Sequence, residues 1–191
     1  VAMSPYYHVY ALDQRGHGDS EWAQKSSSQG EHQPQSHQYS RNQFVQDLKV
    51  FVNSLQLKNI VLVSLSMGGW VSLIYASENP NLISRLILVD IAPEPSPEAL
   101  QFLKTSRPSP PLEFDTFNKA YQWSRLGEPR ASDARLYHDV LNRVKQREDG
   151  KWIWKADPVL FNVPIMDHTD PKYISHYWKC LKAIECPILE I

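Results

Sequence analysis

The run Val61-Leu62-Val63-Ser64-Leu65-Ser66-Met67-Gly68-Gly69 constrains this chain more than any other stretch. Its first half is continuously apolar and rich in β-branched residues, the pattern of a strand covered on both faces. Two glycines then lead into a helical pattern that runs from Gly68 to Glu78 and stops near Asn79-Pro80. A serine between such a strand and such a helix is held on a tight turn with its hydroxyl outward. A serine hydroxyl becomes a useful nucleophile only when a base removes its proton and N–H donors wait for the oxyanion. Ser66 is therefore the candidate nucleophile. The Met67 N–H, at the positive end of the helix, is the candidate oxyanion-hole donor.

The flanking segments extend the same architecture. Tyr6–Leu12 reads as a strand, and Asp13-Gln14-Arg15-Gly16-His17-Gly18-Asp19-Ser20 after it as a structured turn. Residues 22–40, rich in Gln, Ser and His, read as a surface loop. Ser40 and Gln43 fit a capping box opening a helix whose inner face carries Phe44, Val45, Leu48, Val52 and Leu55. Asn59–Ser64 is expected to be a strand buried on both faces, and Leu86–Val89 another, ending at Asp90. Strands alternating with helices imply βαβ units and a parallel sheet.

After Asp90 the pattern changes. A proline-rich exit, Ile91 to Pro97, leads into helical patterns with no convincing buried strand up to about Ile184. Ser96-Pro97 supplies an N-cap and a first-turn proline. Leu136, Val140, Leu141 and Val144 form one apolar face. Asp170-Pro171 starts a last helix with Ile174, Tyr177, Trp178 and Leu181 inward. A buried strand is expected from Pro187.

Composition narrows the function classes. The 191 residues carry a net charge of −1, so no basic excess points to nucleic acid. No stretch approaches the ~18 apolar residues of a membrane span. The first ten residues lack the layout of a secretion signal. Cys180 and Cys186 read as ordinary thiols in a reducing compartment, so a cytoplasmic setting is expected. There is no dinucleotide fingerprint and no P-loop, and no histidine pair has a third ligand in metal spacing, so no cofactor and no metal are expected.

In this order the motifs resemble the α/β-hydrolase fold with a helical cap. Asp13 to Ser20 looks like that family's D-x-R-G-x-G-x-S turn, and Ser64-Leu65-Ser66-Met67-Gly68-Gly69 like its nucleophile elbow. Asp90-Ile91-Ala92-Pro93 looks like the strand end from which the cap is inserted. The family's elbow is G-x-S-x-G; here Ser64 stands at the first glycine, where a small side chain is needed. The resemblance implies a partial parallel sheet with a core portion at 1–92, a helical cap at 93–184 and the start of a further core strand at 185–191. It implies a serine hydrolase, carboxylesterase-like, cleaving an ester or related carbonyl compound through an acyl-enzyme. Serine rather than aspartate at position 66 argues against the family's epoxide hydrolases and dehalogenases.

Each candidate has a competing reading. Asp90 serves as the catalytic acid in some family members' arrangement, or it pins the cap junction. Asp13 and Arg15 read as a turn held by an internal ion pair and backbone bonds rather than as a substrate site. His8, His17, His32, His37, His138, His168 and His176 all lie away from where the family keeps its base. That base, and usually the acid, is expected beyond Ile191, and both ends look like the middle of a longer protein. The segment alone is expected to be nearly inactive. A small, hydrophobic ester-like substrate is favoured by the aromatic cap, since pockets are mostly apolar. The alternative is a non-catalytic, truncated hydrolase-like module that binds through the cap surface or has no function of its own.

Overall fold

The computed structural model describes residues 3–23, 39–94, 96–98, 101, 110–161 and 170–191. Most of the 22–40 loop, with His32 and His37, falls outside the described residues, as do His168 and most of the helix expected from Ser96-Pro97. In chain order the elements are α1 (Arg41–Ser54), β1 (Ile60–Leu65), α2 (Met67–Glu78), β2 (Ile83–Val89), β3 (Glu113–Phe114), α3 (Phe117–Gly127), α4 (Asp133–Arg143), β4 (Val144–Gln146), β5 (Trp152–Trp154), a 3-10 turn (Pro158–Phe161), α5 (Pro171–Ala183) and β6 (Ile188–Glu190). They divide between two compact units, Lys25–Pro110 with Val159–Ile191, and Val1–Gln24 with Pro111–Pro158.

The first unit is a parallel three-stranded sheet in the order β1-β2-β6. The expected βαβ logic is realised: β1 crosses through α2 to pair in parallel with β2, Leu62 opposite Leu86 and Leu65 opposite Val89. Central β2 buries Ile83, Leu86 and Leu88, each such side chain contributing about 1.5–3 kcal/mol of transfer free energy. Helix α2 packs on β1, β2, α1 and α5, and eight consecutive residues, Gly69–Ala76, are buried. Helix α1 starts where the cap predicts, with the Gln43 N–H donating to Ser40 Oγ, and buries Phe44, Val45, Leu48 and Val52 as its spacing requires. Leu55, one residue past the helix, is exposed.

Three expectations in this unit are corrected. Strand β1 is not buried on both faces: Val63 and Leu65 are 62% and 61% exposed. It is an edge strand among the described residues, and only alternate side chains meet the α2 layer. The last strand, β6, is likewise exposed rather than buried, for the same edge position. On α5 the inward residues are Tyr177 and Cys180; Trp178 faces outward, its Nε1–H donating to Glu94.

The second unit corrects two more. Tyr6–Leu12 forms no strand, and its side chains are exposed. High β propensity makes a strand only with a neighbour to pair with, and among the described residues none does. Residues 111–158 are not purely helical. An antiparallel sheet, β3-β5-β4, sits with the α3–α4 pair around Phe114, Trp123 and Trp154, whose rings meet edge-on or tilted at 5.3–6.5 Å. The β4–β5 hairpin closes through Gly150, whose positive φ of 85° suits a glycine, with its N–H on the Arg147 carbonyl. Across this sheet Asp115 meets both Lys119 and Lys151, and Arg147 meets Glu113 and Asp149.

The Asp13–Ser20 turn belongs to this unit. The Asp13 carboxylate, expected to face Arg15, instead accepts the Asp19 N–H at 3.0 Å, while Ser20 Oγ donates to the Asp13 carbonyl at 2.6 Å. Gly18 has φ 55°, and a Cβ there would lie 2.0 Å from Asp13 Oδ2. The carboxylate occupies the space a side chain would need. His17 Nδ1–H donates back to the Arg15 carbonyl at 3.1 Å, a local contact within the turn.

Candidate active site

The C-terminal ends of β1 and β2 bring two of the singled-out residues side by side. Leu65 pairs with Val89, so the next residues, Ser66 and Asp90, leave adjacent strands at the same level. The ladder continues one step beyond the strands: the Ser66 N–H donates to the Val89 carbonyl, and the Asp90 N–H to the Ile191 carbonyl, both at 2.9 Å. In parallel sheets flanked by helices this edge is where ligands bind.

Ser66 has φ 50° and ψ −118°, a conformation that side-chain-bearing residues avoid. It turns the chain from β1 directly into α2. The Gly69 N–H closes the turn on the Ser66 carbonyl at 2.8 Å. Ser66 occupies the N-cap position, yet its hydroxyl makes no cap bond, and the residue is exposed. Met67 is the first residue of α2, so its N–H has no acceptor within the helix and points off the helix's positive end.

The sharp turn needs close approach on both sides. Ser64 Oγ donates to the Ile87 carbonyl of β2 at 3.4 Å, so a small polar side chain is accommodated where the family's motif has glycine. Gly69 abuts Ile91, and a Cβ at Gly69 would lie 2.9 Å from Ile91 Cδ1. Ile91 is a positioning residue that sequence reading did not single out; the second glycine of the Gly68-Gly69 pair was the available sign that something passes close. Asp90 also has a left-handed backbone, φ 53°, and is exposed. Among the described residues no histidine is hydrogen-bonded to Ser66, and no group of three His, Cys, Asp or Glu side chains is placed to hold a metal ion. None of the described helices is long and apolar enough to cross a membrane.

The fold agrees with the comparison against known proteins. The family described as the alpha/beta hydrolase fold matches residues 4–182. The chain belongs to that family. This α/β-hydrolase is 33% identical over 186 residues to ethanol acetyltransferase 1 of Eremothecium cymbalariae, covering 91% of the chain and 45% of that protein. It is 23% identical over 154 residues to an esterase of Mycobacterium tuberculosis, covering 78% of the chain and 48% of that protein. The crystal structure of that esterase superposes with a TM-score of 0.64 at 23% identity, over 93% of this chain and 54% of that one. An α/β-hydrolase from Novosphingobium aromaticivorans superposes with a TM-score of 0.68 at 20% identity, over 92% and 60%. The chain thus spans about half the length of these curated relatives.

Proposed function

We propose that this α/β-hydrolase cleaves an ester or a related carbonyl compound through an acyl-enzyme on Ser66. One observation carries the reading: an exposed serine at φ 50°, its hydroxyl free of any cap bond, is held on the turn between a parallel strand and a helix N-terminus. Backbone strain of this kind persists where it serves a site. In the reaction Ser66 Oγ attacks the substrate carbonyl carbon while a base accepts its proton. The Met67 N–H donates to the oxyanion, and the alkoxide leaves with a proton returned from the base. Water, or an alcohol, then attacks the acyl-enzyme and restores Ser66. The esterase and acetyltransferase relatives support this class, because hydrolysis and alcohol acylation share the first half-reaction. Asp90, level with Ser66 on the next strand, is the candidate acid that would orient the base.

A fluorophosphonate probe tests the nucleophile. It should label Ser66 in a full-length protein that carries the base, and Ser66→Ala should abolish that labelling. Labelling that survives the substitution sinks the assignment. With a p-nitrophenyl ester and ethanol present, ethyl ester among the products would mark acyl transfer rather than hydrolysis alone.

A second reading, a non-catalytic module that binds through the cap surface or has no function of its own, is favoured by one fact: no histidine is hydrogen-bonded to Ser66 among the described residues. The 191-residue chain should then hydrolyse esters near background, at best with the residual that oxyanion donors supply. Turnover typical of an esterase would exclude this second reading.

A further inference from the structure

Past Asp90 the chain runs alongside the start of α2. Asp90 holds a left-handed backbone, φ 53°, which a residue with a side chain keeps only where its surroundings fix it. On the strand side its N–H donates to the Ile191 carbonyl at 2.9 Å. On the other side Ile91, 9% exposed, seats its side chain against Gly69 and leaves no room there for a Cβ. Pro93 has a fixed φ and biases Ala92 toward extended backbone, so the strap from Ile91 to Glu94 has few conformations of its own. At Glu94 the strap is fastened. Glu94 Oε1 accepts the Trp178 Nε1–H of α5 at 3.0 Å.

The fastening leads back to where the strap began. The Trp178 ring meets that of Tyr177 edge-on at 6.3 Å, and Tyr177 meets Trp70 edge-on at 4.4 Å. Trp70 follows Gly69 in α2, and both are buried. Gly69, Ile91, Glu94, Trp178, Tyr177 and Trp70 thus close a ring of contacts around the first turn of α2, the turn that Ser66 opens. Tyr177 and Trp70 are core residues, 2% and 3% exposed. Glu94 and Trp178 are exposed, and one hydrogen bond joins them across 84 residues of chain. An indole N–H is a donor only, and a carboxylate acceptor strengthens and directs its bond. This link of the ring is the one that a surface substitution opens without leaving a cavity.

We propose that Glu94 and Trp178 are positioning residues: their hydrogen bond fastens the strap, and so holds Ile91 on Gly69 and Asp90 in its left-handed turn level with Ser66. Both act through Asp90 and not on the substrate. The consequence for turnover rests on the reading of Asp90 as the acid that orients the base; the fastening itself does not.

Relaxation dispersion of the Ile91 δ-methyl in the 191-residue chain reads the population of the unfastened strap. Trp178→Phe keeps a ring and removes the donor. Glu94→Ala removes the acceptor, and Glu94→Gln keeps an acceptor oxygen. Trp178→Phe and Glu94→Ala should each raise that population about fivefold, the factor one exposed hydrogen bond carries. The two together should raise it no further than either alone, because they remove the same bond. Glu94→Gln should stay near native. In a full-length protein that carries the base, kcat on a p-nitrophenyl ester should fall about two- to fivefold in Trp178→Phe and Glu94→Ala, with KM unchanged, and Glu94→Gln should keep it near native. A population unmoved by Trp178→Phe, or raised as much by Glu94→Gln as by Glu94→Ala, overturns the proposal. A raised population with native kcat upholds the fastening and instead removes Asp90 from the reaction.

Discussion

Replacing Ser66 by glycine should stabilise the chain while removing the proposed nucleophile. The backbone at Ser66 stands at φ 50°, ψ −118°, and such a conformation costs an L residue about 1–3 kcal/mol. Glycine adopts it without strain, but brings about 0.4–1 kcal/mol of extra conformational entropy to the unfolded chain. The difference favours Ser66→Gly by about 1 kcal/mol, which in a chain of this size raises Tm by about 2–4 °C. Ser66→Ala isolates the hydroxyl. It keeps the Cβ and hence the strain, and the hydroxyl makes no cap bond that could be lost, so its stability should stay within about 0.5 kcal/mol of the native chain. Urea unfolding of the three proteins side by side, with thermal melts as a check, measures the order. We expect Ser66→Gly above both others, and both variants unlabelled by fluorophosphonate. If Ser66→Gly unfolds at or below the urea midpoint of Ser66→Ala, the turn stores no strain and the argument from backbone geometry to function fails.

Three further outcomes follow from contacts already described. Gly69→Ala would drive its methyl group into Ile91 Cδ1; overpacking of about 1–3 kcal/mol exceeds the 0.5–1 kcal/mol or so gained in helix propensity, and adding Ile91→Val should recover most of the lost urea midpoint. Hydrogen bonds and charge from Lys119 and Lys151 hold the Asp115 carboxyl down at about 2; its folded value lies below the unfolded one, so its contribution is present above a pH of about 4 and fades as pH falls toward 2. A carbon-detected NMR titration should place the midpoint there, and Lys119→Met/Lys151→Met should return it toward the ordinary range. Burial, aided by the Glu190 carboxylate, pushes the Tyr177 phenol up to about 12. Its folded value is the higher one, so stability is intact below a pH of about 10 and declines between 10 and 12; Tyr177→Phe should flatten that part of the alkaline unfolding curve.

Much of the first unit could be read from the sequence because its signals are local. The apolar run before Ser66, the two glycines after it and the Ser40 cap each fix backbone within a few residues, and the structure places them accordingly. Exposure was not legible in the same way. Val63 and Leu65 carry the pattern of a doubly covered strand, but covering depends on which elements lie alongside. Tyr6–Leu12 has strand composition and no partner strand. The sheet formed by β3, β5 and β4 escaped notice because its strands are two or three residues long, below the length at which alternation is visible. The Asp149-Gly150 turn beside Trp152-Ile153-Trp154 was the sign that a hairpin closes there. At the candidate site the side-by-side placement of Ser66 and Asp90 depends on β1–β2 register, which no local motif encodes. The left-handed backbone of Asp90 is equally hidden, since aspartate visits that region only occasionally.

The ladder bond from the Ser66 N–H to the Val89 carbonyl has a dynamic meaning. Loops that carry function usually open by local fluctuation, well below the free energy of global unfolding. Here the amide of the candidate nucleophile is tied to the central strand, one residue beyond the β1–β2 register. Its hydrogen exchange should keep pace with Leu86 and Leu88, not with the exposed turns around it. The serine would then lose its geometry only when the sheet itself comes apart, and a destabilising change anywhere along β2 would reach it as a rise in that exchange rate.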